Sequence, residues 1–232
     1  MQAKDVMTTA VVTVSPDTLV TEIAQRLVER RISAVPVVDD EGRPVGIVSE
    51  GDLMRRPEIE GQRHPSWWLS LVADPVAEAI EYVKARGGRA REVMTRSVVS
   101  VDEAASLEQI AALLEKHGIK RVPVLRDGKL VGIVSRADLL RGIVVRQDAP
   151  QPAADDAALR ERVAAEINAS GVRSEFINVI VSGAVVHLWG ATHSQAEREA
   201  ARVAAARVPG ASRVEDHLGV FTPMTSALLW AE

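Results

Sequence analysis

The chain has 232 residues, 47% of them hydrophobic, which is enough to build one large or two ordinary buried cores. A formal net charge of −4 argues against the basic face of a nucleic-acid binder, so no nucleic-acid partner is expected. The lack of cysteine excludes disulfides, thiolate metal sites and thiol nucleophiles.

The N-terminal residues Met1 to Asp5 lead straight towards a strand-helix pattern, without a charged leader and apolar run. No stretch approaches the roughly 18–20 apolar residues of a membrane-spanning helix, so a soluble cytoplasmic protein is expected. Val11 to Val14 is a β-branched run closed by the turn signal Ser15-Pro16. The helix that follows places Val20, Ile23, Ala24 and Leu27 on one face. Two strands around a tight turn come next, Ala34 to Val38 and Pro44 to Val48, and then a short helix beginning at Ser49.

Arg55 to Arg91 reads as a helical insert. Trp67, Trp68, Leu71 and Val72 form one apolar stripe. Asp74-Pro75 starts a second helix with the stripe Val76, Ile80 and Val83, ended by Gly87-Gly88. The paired tryptophans fit either a partner surface or an anchor to the chain's own domain or a dimer mate.

Beyond the insert the first pattern recurs. A shift of 87 positions lays Val6-Met7-Thr8 on Val93-Met94-Thr95, Ile23-Ala24 on Ile110-Ala111 and Pro36-Val37 on Pro123-Val124. One residue is lost in the hairpin turn, where a duplicated fold tolerates it, and the shift becomes 86. Gly46-Ile-Val-Ser49 then falls on Gly132-Ile-Val-Ser135, and Asp52-Leu53 on Asp138-Leu139. The second copy's long helix opens with Ser106-Leu-Glu-Gln109, a capping box.

Arg146 to Asp156 is rich in Pro, Ala and Asp and reads as a linker. After it come an amphipathic helix, Ala158 to Ala169, and a hairpin, Asn178 to Gly183 with Ala184 to Gly190. A second helix runs from Ser194 to Val208, a last strand from near Ser212 to Val220, and an apolar tail from Met224 to Trp230. His187, His193 and His217 lack a carboxylate-rich ligand pattern and are expected as packed or solvated side chains, not metal ligands. Phosphate-loop, nucleophile-elbow, zincin and dinucleotide fingerprints are missing, so no enzyme is expected.

The spaced motifs Val6-Met7-Thr8, Ser33-Ala-Val-Pro-Val37 and Gly46 to Leu53, with Val93-Met94-Thr95, Lys120-Arg-Val-Pro-Val124 and Gly132 to Leu139, resemble tandem CBS domains, a Bateman module. The order helix-strand-strand-helix-strand, with Val185, Leu188, Gly190, Glu197 to Ala201 and Val208 to Val214, resembles a BON domain. The expected fold is α+β: two βαββα repeats packed as a pseudo-symmetric pair, plus a small αββαβ domain. The expected boundaries are 1–56 and 93–145 for the repeats, 57–92 for the insert, 146–156 for the linker, 157–222 for the BON-like domain and 223–232 for the tail.

The resemblance implies a non-catalytic sensor that binds AMP, ADP, ATP or S-adenosylmethionine in clefts between the repeats, with no required cofactor. It also implies a homodimer through the repeat pair and an unidentified regulated protein, and for the BON-like domain either lipid or membrane-surface contact or a protein-binding or oligomerising role. The competing reading is an interaction or oligomerisation protein whose BON-like domain holds lipid or protein, with no nucleotide role.

Ser49 with Asp52 and Ser135 with Asp138 stand at helix starts, where free amides favour anions and a carboxylate can accept from a ribose diol. The same tetrapeptide also reads as a plain capping device, and the two roles are compatible. Thr13 and Ser100, at matched positions, are expected to line the clefts near the base. Lys120 and Arg121, where the first copy has Ser33 and Ala34, are candidates for holding phosphate beside Asp52, or else a solvated strand edge. The cleft around Ser135 and Asp138 is expected to be the weaker one, a ranking that Arg136 complicates.

Overall fold

The computed structural model describes residues 1–54, 87–148 and 155–221. The tryptophan-bearing insert helices, the middle of the linker and the apolar tail lie outside the described residues. In chain order the elements are α1 (Ala3–Val6), α2 (Val20–Arg30), β1 (Ala34–Val38), β2 (Pro44–Ser49), α3 (Glu50–Met54) and α4 (Ala90–Val93). They continue with β3 (Val101–Asp102), α5 (Leu107–Lys116), β4 (Arg121–Arg126), β5 (Lys129–Ser135) and α6 (Arg136–Asp148). The last group is α7 (Asp156–Ala169), a 3-10 turn (Ser174–Phe176), β6 (Ile177–Ser182), β7 (Val185–Thr192), α8 (Gln195–Arg207) and β8 (Arg213–Val220). Helix α6 runs to Asp148, into the segment expected as linker.

The chain folds into two compact units, each assembled from separated stretches. One takes Met1–Ala10, Val101–Val124 and Gly132–Glu232; the other takes Val11–Ser100 and Leu125–Val131. The reason is an exchange of the Val-Met-Thr segments. Thr8 of the first copy pairs with Ile133 of the second through two backbone hydrogen bonds of 3.0 Å. Thr95 of the second copy pairs with Ile47 of the first, at 2.9 and 3.0 Å. Sequence repeat and spatial unit therefore do not coincide.

The glycines of the two Gly-Ile-Val-Ser runs make this exchange possible. A Cβ on Gly46 would lie 2.7 Å from Met94 Cγ, and one on Gly132 would lie 2.8 Å from Met7 Cγ. Each methionine thus fills the space that its glycine leaves.

In the Val11–Ser100 unit, β1 and β2 pair antiparallel, Val35 opposite Val48 and Val37 opposite Gly46. Helix α2 buries Val20, Ile23 and Leu27 against Val35, Val37 and Val48. The expected strand Val11 to Val14 is reduced to one parallel bridge, Val14 with Val37. Val14 N donates to Pro36 O and Val14 O accepts from Val38 N, so a single residue takes both bonds. The matching segment of the second copy is the two-residue β3, in a sheet of order β3-β4-β5. The capping box holds: Gln109 N donates to Ser106 Oγ at 3.2 Å, and Ser106 N to Gln109 Oε1 at 2.9 Å.

The C-terminal part of the other unit has the expected αββαβ order. Strands β6 and β7 form a hairpin whose turn residues, Gly183 and Ala184, both have positive φ, 58° and 64°. This is the turn geometry that matches strand twist. Strands β7 and β8 are parallel, which requires a crossover, and α8 supplies it. Helices α7 and α8 cover one face of this sheet, burying Leu159, Val163 and Ala201 against Val179, Val186 and Leu188. Strand β6 is nonetheless buried on both faces, because it also packs against α1 and α6.

Candidate functional site

In the Val11–Ser100 unit, β2 ends at Ser49 and α3 begins at Glu50, so the first-turn amides open at that junction. Asp52 turns its carboxylate back: Oδ2 accepts from Ser49 N at 2.9 Å and from Ser49 Oγ at 2.7 Å. Asp52 is buried, at 9% exposure, and Glu50 N is held by Ser33 O. Thr13 and Ser100 sit half-buried in irregular chain just ahead of Val14 and Val101. Thr13 O accepts from the Arg26 guanidinium at 3.1 Å.

The second copy repeats this geometry in the other unit. Asp138 Oδ2 accepts from Ser135 N at 2.8 Å and from Ser135 Oγ at 2.7 Å. Arg136 N donates to Lys120 O, matching Glu50 and Ser33, and the Arg136 guanidinium donates to Ile119 O. Exposed Lys120, half-buried Arg121 and exposed Arg136 therefore gather in the unit of Ser135 and Asp138. The first copy has Ser33, Ala34 and Glu50 at these positions, so the two helix starts differ in charge. The Ser-x-x-Asp capping geometry is present in both copies, and it fixes one carboxylate oxygen while leaving the role of the other to the surroundings.

The family model of the CBS domain matches residues 3–58 and 90–145, and that of the BON domain residues 155–220. The CBS domain-containing protein YhcV of Bacillus subtilis is 32% identical over 136 residues, which cover 59% of this chain and 81% of that protein. The chain belongs to the CBS-domain family. It carries a tandem CBS pair followed by a BON domain.

The chloroplastic CBS domain-containing protein CBSX1 of Arabidopsis thaliana is 34% identical over 134 residues, 55% of this chain and 57% of that protein. The chain thus spans little more than half the length of that relative. A crystal structure of CBSX2 in complex with AMP aligns with a TM-score of 0.55 at 31% identity, covering 62% of this chain and 97% of that one.

Three residues at the second CBS repeat's Ser-Asp pair escaped the sequence reading. Arg141, one helical turn after Asp138, donates to its Oδ1 at 2.6 Å. Asn178, on β6 of the BON domain, donates from Nδ2 to the same Oδ1 at 3.3 Å and to Val6 O at 3.0 Å. Both partners are acceptors, so the carboxamide must present its NH2 end. Arg160, on α7, donates to Val179 O at 2.8 Å and to the carbonyls of Lys4 and Met7. Burial pulls the Arg160 guanidinium below its ordinary pKa, and the nearby carboxylates of Asp5, Glu161 and Asp138 offset part of that. The one available sequence signal was Asn178 itself, a carboxamide in the otherwise apolar run Ile177-Asn-Val-Ile-Val181.

The histidines join the sheet's packing. The rings of His187 and His217 are stacked with centroids 5.8 Å apart, Trp189 stacks on His217 at 3.9 Å, and His193 meets Phe176 and Phe221 edge-on. Among the described residues no group of three or more His, Asp or Glu is placed to hold a metal ion. Among them, too, no helix is long and apolar enough to cross a membrane.

Proposed function

We propose that this chain is a non-catalytic regulator that binds an adenosine-containing nucleotide at its Ser-Asp pairs and passes the bound state to a partner through its BON domain. The observation that carries the reading is the doubled carboxylate, held by its own serine at the start of a helix in both repeats. A carboxylate anchored through one oxygen is preorganised to accept from the two hydroxyls of a ribose, and anchoring reduces the entropy lost on binding. The bound AMP of the CBSX2 structure supports this choice of ligand class. In the unit of Ser135 and Asp138 the basic residues Lys120, Arg121 and Arg136 supply charge suited to phosphate; in the unit of Ser49 and Asp52, Thr13 and Ser100 are the candidates for the base. The regulatory role requires different affinities for two conformations.

A thermal-shift panel with AMP, ADP, ATP and S-adenosylmethionine tests it. Saturating ligand at about 100 times Kd stabilises the native state by about 2.7 kcal/mol, a rise of several degrees in melting temperature. Asp52→Ala should remove most of the shift. No shift with any of the four compounds overturns the reading.

A homodimer belongs to the same proposal. Leu140, Ile143 and Val144 leave an exposed apolar stripe on α6 that a second copy of the pair would cover. Sedimentation equilibrium tests it, and a monomer at micromolar concentration overturns it.

A further inference from the structure

The BON domain is not merely appended to the CBS pair: β6 lies on the carboxylate of the second repeat's Ser-Asp pair. Asp138 is only 3% exposed. Its Oδ2 is committed to Ser135, and its Oδ1 is taken by Arg141 and by Asn178. Arg141 stands on the same helix, three residues after Asp138, so its contact stays within α6. Asn178 is different, because it is fixed on a strand whose two faces are both buried.

The carboxamide also satisfies Val6 O, the last carbonyl of α1. Its two N–H groups thus bridge a backbone acceptor and a carboxylate, the kind of acceptor pair that a nucleoside's amino and hydroxyl groups would use. Arg160 secures the same domain by capping the carbonyls of Lys4 and Met7, at the C-terminal end of α1.

We propose that the BON domain is a tethered competitor for nucleotide at the second repeat, with Asn178 standing where a ribose would meet Asp138. This rests on the nucleotide reading given above. The domain is joined to α6 through the short segment between Asp148 and Asp156, so its effective concentration at Asp138 is on the order of millimolar. A ligand binding at Asp138 must therefore displace β6, and its apparent affinity falls by the fraction of molecules that are open. The competition makes the two repeats unequal and couples ligand binding to release of the BON domain. The sheet face released carries Asn178, Ile180 and Ser182.

The test uses the full chain with Asp52→Ala, which leaves Asp138 as the remaining ribose carboxylate, and compares it with the same chain carrying Asn178→Ala or Asn178→Asp. The aspartate sets a second carboxylate against Asp138 Oδ1 and opens the latch by repulsion. AMP is titrated by calorimetry, and deuterium uptake of the backbone of 3–8 and 177–182 is followed by mass spectrometry.

Both Asn178 variants should bind AMP about ten-fold more tightly, and AMP should speed uptake in both segments of the wild-type chain. If AMP binds equally well with or without Asn178, the competition is overturned while the nucleotide reading stands. If no Asp52→Ala chain binds AMP while the wild-type chain does, the competition is overturned and the nucleotide reading stands at Asp52; if the wild-type chain also fails to bind, the nucleotide reading falls and takes the competition with it.

Discussion

Met7 packs its side chain into the space above Gly132, on a strand of the other sequence repeat, and Met94 does the same above Gly46. The pairing binds each unit together from both copies. Gly132→Ala would force the methionine off its rotamer, and overpacking of this kind costs about 1–3 kcal/mol. Met7→Ala removes the clash, so the double variant should be less destabilised than the sum of the two single ones, by about 0.5–3 kcal/mol. Urea unfolding of the four chains of the cycle measures this; strict additivity would show that the close approach is not energetically significant.

The tip of the C-terminal hairpin is held by Asp156, whose Oδ2 accepts from Gly183 N at 2.8 Å and whose Oδ1 accepts from Ala184 N at 3.0 Å. Asp156→Ala leaves both turn amides without this carboxylate and should cost about 1.5–3 kcal/mol. Ala184 has φ 64°, a conformation that glycine adopts without the Cβ penalty. Ala184→Gly should accordingly raise stability by a few tenths to about 1 kcal/mol. Thermal unfolding of the two variants should move in opposite directions.

Arg160 meets three main-chain carbonyls with one planar guanidinium, a pattern that the compact ammonium of lysine cannot reproduce. Arg160→Lys should therefore fail to rescue the wild-type protection. Deuterium uptake by residues 3–8 should rise in Arg160→Lys nearly as much as in Arg160→Met, and wild-type uptake in the lysine chain would refute the carbonyl cap.

Glu92 titrates with folding in the Val11–Ser100 unit. Its Oε2 accepts from Gly88 N at 2.7 Å and from Arg89 N at 3.1 Å, and these bonds hold its pKa below the ordinary 4.5. A lowered folded-state pKa means that the unfolded chain binds the proton more readily. The contribution is thus complete above the unfolded value and is lost as pH falls through the folded one. Glu92→Gln should flatten the decline of stability as pH falls below about 5, measured by urea midpoints; an unchanged slope would count against these bonds.

How much was legible in the sequence varies with the range of the interaction. The duplication, helix α2 with its Val20, Ile23 and Leu27 stripe, the hairpins and the αββαβ order follow from local periodicity and turn chemistry, and all are present in the structure. The Ser-Asp pairs were equally visible, because serine and carboxylate stand three residues apart and close on each other within one turn. The strand expected over Val11 to Val14 shrank to one bridge, since β-branched composition cannot say whether a neighbour offers a full ladder.

What only the tertiary structure decided is where each segment goes. Nothing in Val6-Met7-Thr8 says that Thr8 pairs with Ile133 instead of a residue of its own repeat, because exchange between copies preserves the local pattern. Nor could spacing foresee that Asn178 would reach Asp138, since that contact depends on how a separate domain docks. The sequence by itself determined two like carboxylates in two like repeats. Packing set a strand of the BON domain against the second of them, through Asn178.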